Sequence, residues 1–182
     1  MTFTLFDKPT FQRKITNNSV LIIAEIGVNH NGQISLAKEM ILEAKSCGAD
    51  CVKFQTFKAS RVASNSAPKA TYQLGTTDSA ESQLAMLHKL ELSEVDYREL
   101  AAFCDKHDVV FLSTPYDVED ADFLDELGVQ AFKVASGQAI ETRFLQHLAR
   151  KGKPILLSTG MCTLAEVDEA VRTIRKEGND DI

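Results

Sequence analysis

The feature that most limits how this chain can fold is a rhythm. From residue 109 onward, short apolar segments alternate with amphipathic ones. "VVFLSTP" (109–115) leads into "DVEDADFLDELG" (117–128), "AFKVASG" (131–137) into "ETRFLQHLARKG" (141–152), and "PILLSTG" (154–160) into "TLAEVDEAVRTIRKEG" (163–178). The apolar runs suit strands covered on both faces, and the segments between them have helical spacing. Gly128, Gly152 and Gly178 stand where a helix ends, and Thr163 with Glu166 forms a capping box.

Two earlier units extend the pattern. "VLIIAEIG" (20–27) precedes "SLAKEMILEAKSCG" (35–48), whose Leu36, Met40, Ile41 and Ala44 share one face. Ser35 is its expected N-cap and Gly48 its C′ residue. "CVKFQTF" (51–57) precedes helices expected at 81–92 and 93–108, the second capped by Ser93. Residues 58–80 read as a long loop, and residues 1–19 as an N-terminal arm or hairpin. Five β/α units mean a parallel sheet with helices outside, either an open doubly wound sheet or a (β/α)₈ barrel. No G-x-G-x-x-G follows the first strand and no G-x-x-x-x-G-K-[ST] occurs, so the nucleotide-binding signatures are absent.

Polar placement favours the barrel. Each expected strand ends in hydrogen-bonding or ionisable groups: Glu25, Lys53 with Gln55, Ser113 with Thr114, Ser136, and Ser158 with Thr159. In a β/α barrel those ends converge on one rim, where active sites are built. Lys53 and Gln55 lie two apart in "CVKFQTF" and share a face, so they are expected to point to the mouth while Val52 and Phe54 face the helices. A bland reading stands beside each: Ser and Thr cap turns, Glu25 pairs with a lysine, Lys53 and Lys133 snorkel, and "NHNG" (29–32) is first a turn. Two lysines and several hydroxyls around one mouth suit a compact dianion such as a phosphate ester. A carboxylate there can move a proton.

Formal net charge is −6, which argues against a nucleic-acid or anionic-membrane partner. The apolar run Val20–Ile23 is too short to span a bilayer, and no signal peptide is apparent. Cys47, Cys51, Cys104 and Cys162 form neither a C-x-x-C pair nor a zinc pattern, and read as reduced thiols of a cytoplasmic protein.

"IAEIGVNHNG" (23–32), "GADCVKFQTF" (48–57), "FLSTPYD" (111–117), "FKVASGQ" (132–138) and "GKPILLSTGM" (152–161) closely resemble the N-acetylneuraminate (sialic acid) synthase family, which includes the legionaminic and pseudaminic acid synthases. The resemblance runs from about residue 20 to residue 176, and "ESQLAMLHKLELS" (81–93) leans toward the legionaminic-type branch. It implies a (β/α)₈ barrel that condenses phosphoenolpyruvate with an N-acetylmannosamine-like sugar, giving a nine-carbon 2-keto acid and phosphate. It also implies a divalent metal, Mn²⁺ or Mg²⁺, and a homodimer in the full-length form. By motif, Lys53, Thr114, Ser136 and Ser158 would hold phosphoenolpyruvate, with Lys133 a further member. Gln55 would contact the sugar, and Glu25 would be the acid/base candidate or hold sugar hydroxyls.

Two departures stand out. The family usually carries Glu in the sugar-contacting position where this chain has Gln138, a neutral amide that would contact the sugar but cannot act as a base. The pattern also stops after five β/α units, before the strands that carry the family's two histidine metal ligands and before its C-terminal antifreeze-like domain. The expectation is therefore an incomplete barrel: the N-terminal portion of a synthase over 20–182, with metal ligands beyond Ile182 and no activity alone. Two alternatives remain open, a Schiff-base aldolase using Lys53 and a non-catalytic half-barrel assembly module.

Overall fold

A computed structural model describes residues 20–75, 77–78 and 81–182, and the backbone alone of residues 3–4, 14–15 and 72. Strands β1 (Phe3–Thr4) and β2 (Lys14–Ile15) pair antiparallel. The rest of the expected N-terminal arm or hairpin lies outside the described residues. The main body runs β3 (Ile23–Gly27), α1 (Ile34–Ser46), β4 (Cys51–Thr56), α2 (Ala59–Val62), α3 (Thr71–Leu74), α4 (Gln83–Leu90) and α5 (Glu94–Lys106). It continues β5 (Val110–Pro115), α6 (Val118–Leu127), β6 (Phe132–Val134), α7 (Thr142–Arg150), β7 (Ile155–Leu157) and α8 (Leu164–Lys176).

The strands pair in parallel as β3-β4-β5 and as β6-β7. β5 and β6 lie side by side, but among the described residues no ladder joins them. The β/α rhythm predicts parallel strands inside and helices outside, and the arrangement is the partial barrel that polar placement and the family resemblance favour over an open doubly wound sheet.

Strand alternation sorts the apolar residues into two layers. Val52, Phe54, Phe111, Phe132, Val134 and Ile155 point outward and pack with Ile41, Leu100, Leu124, Leu148 and Ile174 of the helices. Burying each such side chain stabilises the fold by roughly 1.5–3 kcal/mol. Cys51, Val110, Leu112 and Ala131 point inward and pack with Leu21, Ile23 and Leu156. The inner face is thus apolar toward the strand starts, which leaves the strand ends free for polar groups.

Local signals account for the helix limits. Ser93 and Thr163 cap α5 and α8, each in a capping box with the residue three further on. Gly48, Gly128, Gly152 and Gly178 follow helices with φ of +86°, +86°, +67° and +86°, where a Cβ is costly. Ser35 is not a cap: α1 starts at Ile34, two residues earlier than a Ser35 cap implies, behind Gln33, which makes no side-chain capping bond.

The expected 58–80 loop also needs correction, because it contains α2 and α3. The first of these turns is anchored from outside. Glu91 accepts from the Ala59 N–H at 2.9 Å and pairs with Lys58 at 2.9 Å, while Arg61 pairs with Asp117 and, at 2.5 Å, with Asp120. Such long-range partners are invisible to local propensity. Residues 76, 79 and 80 of that stretch lie outside the described residues.

Candidate active site

The polar strand ends are built from the register. Glu25 of β3 stands opposite Lys53 of β4, and the ladder shifts between Glu25 and Gly27, where φ is +57°. A bulge of this kind re-aims the side chain beside it. Glu25 Oε2 lies 2.6 Å from Lys53 Nζ; the lysine side chain is 7% exposed and the carboxylate 60%. The carboxylate thus holds the ammonium from the open side.

Lys133 of β6 faces the same interior. Its Nζ donates to the Val134 carbonyl at 2.9 Å and to Ser158 Oγ just past β7. Burial pulls the Lys133 ammonium below the ordinary lysine range; repulsion from Lys53 adds to this and Glu25 offsets part of it. Two cations against one carboxylate leave the mouth with surplus positive charge.

Thr114 of β5 is 2% exposed and stands opposite Gln55 of β4. Ser136 opens a 3₁₀ turn, Ser136–Gln138, immediately after β6. Its Oγ lies 3.6 Å from where a Cβ on Gly160 would stand, so the segments after β6 and β7 meet there. Gln138, 6% exposed, donates from Nε2 to the Tyr116 carbonyl at 3.1 Å. Glu25, Lys53, Gln55, Thr114, Lys133, Ser136, Gln138 and Ser158 thus gather along the strand ends, supplied by all five parallel strands.

One expected rim group does not belong. Ser113 is fully buried on the helix side of β5, where its hydroxyl bonds Thr56 Oγ1 at 2.6 Å. Alternation decides this: Thr114 faces the mouth, so Ser113 cannot. Two tyrosines were missed. Tyr97 donates to the Gln55 carbonyl at 2.6 Å, and Tyr116 donates to Gln55 Oε1 at 3.3 Å. Tyr116 follows Thr114 by two residues inside "FLSTPYD", and that adjacency was the available signal; Tyr97, on α5, left none.

No three His, Cys, Asp or Glu residues gather to hold a metal among the described residues. Glu25 is already paired with Lys53. His30 is fully buried against the Phe54 ring on the helix side of β4; its Nδ1 accepts from the Gly32 N–H at 3.1 Å, and burial lowers its pKa. These residues do not form a site for a divalent cation.

Parallel strands with outer helices, and polar side chains gathered at their C-terminal ends, define a β/α-barrel protein with a polar mouth. Residues 40–182 match the NeuB family, and the chain belongs to that family. It is 49% identical over 158 residues to the N,N'-diacetyllegionaminic acid synthase of Campylobacter jejuni, covering 87% of this chain and 47% of that protein. The Legionella pneumophila protein of the same name is 46% identical, covering 85% and 43%. The chain spans about half the length of the curated relatives it matches.

Among solved structures, the N-acetylneuraminic acid synthetase of Leptospira borgpetersenii, in complex with citrate, superposes with a TM-score of 0.82 at 29% identity. The match covers 98% of this chain and 56% of that one. A truncated 3-deoxy-D-arabino-heptulosonate 7-phosphate synthase from Thermotoga maritima shares the fold at TM-score 0.69 and 18% identity.

Proposed function

We propose that this chain supplies the phosphoenolpyruvate end, and part of the sugar end, of a synthase. That enzyme joins phosphoenolpyruvate to an N-acetylmannosamine-like sugar, forming a nine-carbon 2-keto acid and phosphate. The observation that carries the reading is the convergence of Lys53, Lys133, Ser136, Ser158 and Thr114 on one mouth beside Glu25. Lys53 and Lys133 neutralise the dianion, and the hydroxyls direct it.

In the reaction, carbon 3 of phosphoenolpyruvate attacks the open-chain aldehyde. The aldehyde oxygen takes a proton and becomes a hydroxyl, with Glu25 as the acid/base candidate. Water adds to the cationic carbon 2 and loses a proton. The tetrahedral intermediate then breaks its carbon–oxygen bond to phosphate and leaves the 2-keto acid. Gln55 and Gln138 lie toward the sugar. The divalent metal, Mn²⁺ or Mg²⁺, which the sequence resemblance implies, has no site among the described residues. Cytoplasmic localisation and dimerisation of the full-length form belong to the same reading. Among the described residues no helix is long and apolar enough to cross a membrane.

Calorimetry of the full-length enzyme with phosphoenolpyruvate tests the assignment. Lys53→Ala is expected to abolish binding with little loss of fold, because the Glu25 it strands is 60% exposed and regains water. Unchanged affinity refutes the role given to Lys53. Borohydride trapping of pyruvate on Lys53 would favour the Schiff-base alternative instead.

A further inference from the structure

Tyr116 touches both glutamines that lie toward the sugar. Its phenol donates to Gln55 Oε1 at 3.3 Å, and its backbone carbonyl accepts from Gln138 Nε2 at 3.1 Å. A carbonyl can only accept, so the Gln138 amide has one orientation, with Nε2 committed and Oε1 turned away. That Oε1 is buried and has no hydrogen-bond partner. A buried acceptor in this state gains from any donor that reaches it.

Gln55 is set the opposite way. Its carbonyl end is held on the β5 side by the phenol, and its NH₂ lies toward β3. There Nε2 would be 3.6 Å from a Cβ on Gly27, a space that glycine leaves open. Gln138 also reaches across the β5/β6 seam, which no ladder closes among the described residues. A Glu there could not donate to the Tyr116 carbonyl.

We propose that Tyr116 is a positioning residue for the sugar end of the mouth. Its phenol and carbonyl set the two amides in opposite senses, so that Gln55 offers a donor and Gln138 an acceptor. That pair complements an acetamido group, whose carbonyl accepts and whose N–H donates. The inference rests on the synthase reading and extends it to the group recognised.

The test uses the complete synthase, assayed with phosphoenolpyruvate and with an N-acetylated amino sugar or its deacetylated counterpart. In Tyr116→Phe, KM for the acetylated sugar is expected to rise about 3- to 10-fold, the loss of one neutral hydrogen bond. The preference for the acetylated over the deacetylated sugar falls in step, while kcat and KM for phosphoenolpyruvate move less than about twofold. A merely structural role would move all of these together. In parallel, the Gln55 side-chain amide resonances should shift in Tyr116→Phe while those of Gln138 stay. Turnover with an unchanged preference, or unmoved Gln55 resonances, overturns this inference alone. No turnover in the unsubstituted enzyme removes the synthase reading and this inference with it.

Discussion

At the scale of single residues, position in the strand decides chemistry. Lys53 and Ser113 are both buried polar residues on neighbouring strands, yet one faces the mouth and the other a helix. The same scale holds the clearest pH dependence. Asp120 of α6 is 4% exposed, and one of its carboxylate oxygens has no partner. It lines a cavity of about 70 Å³ with Thr56, Lys58, Arg61, Glu94 and Tyr97.

Burial raises the Asp120 pKa to about 7; repulsion from Asp117 adds to this, and Arg61 opposes it. The folded state therefore binds the proton more tightly than the unfolded chain. Stability from this group is fully present below about pH 4, where even the unfolded-state carboxyl is protonated, and is lost as pH rises through about 7. Melting curves should show unfolding free energy dropping by a few kcal/mol, on the order of three pKa units, between about pH 4 and pH 7. Asp120→Asn should flatten that slope; parallel curves for the two proteins would refute it.

At the scale of elements, the helices were the most legible part, because their limits are written locally. Thr163 Oγ1 accepts from the Glu166 N–H at 3.3 Å, and Glu166 accepts from the Thr163 N–H at 2.6 Å. Thr163→Ala removes one half of this exchange and should cost about 1 kcal/mol, or roughly 2–4 °C in Tm. An unchanged Tm would mean that α8 is held by its packing through Ala170 and Ile174 alone. Where propensity was misread, a distant partner was responsible. α2 sits in a Ser- and Ala-rich stretch, but Glu91 and Asp117 lie 32 and 56 residues along the chain from the groups they hold. Ser35 looked like a cap by type, yet the chain entered α1 two residues sooner, with Gln33 in the cap position.

At the scale of the molecule, the parallel strands form two sheets that meet at the β5/β6 seam. β4 is bonded on both sides, whereas β6 is bonded only to β7 among the described residues. Regions with fewer backbone partners open at lower cost. Hydrogen exchange should therefore protect the amides of Cys51–Thr56 longer than those of Phe132–Val134. Equal protection would show that the β5–β6 contact is as strong as a ladder.

The sequence by itself determined the main β/α alternation, the caps of α5 and α8, the shared face of Lys53 and Gln55, and the family. Each of these depends on spacing along the chain: two residues for a strand, three to four for a helix, and motif order for the family. Only the tertiary structure decided that Glu25 holds Lys53, that Lys133 holds Ser158, that Arg61 bridges Asp117 and Asp120, and that Tyr116 orients Gln55 and Gln138. These partners come from separate elements, Glu25 and Lys53 facing each other across the β3–β4 ladder, and no local pattern encodes their approach. Their charges and hydrogen bonds acquire a direction only once the strands are in register and water has been driven from between them.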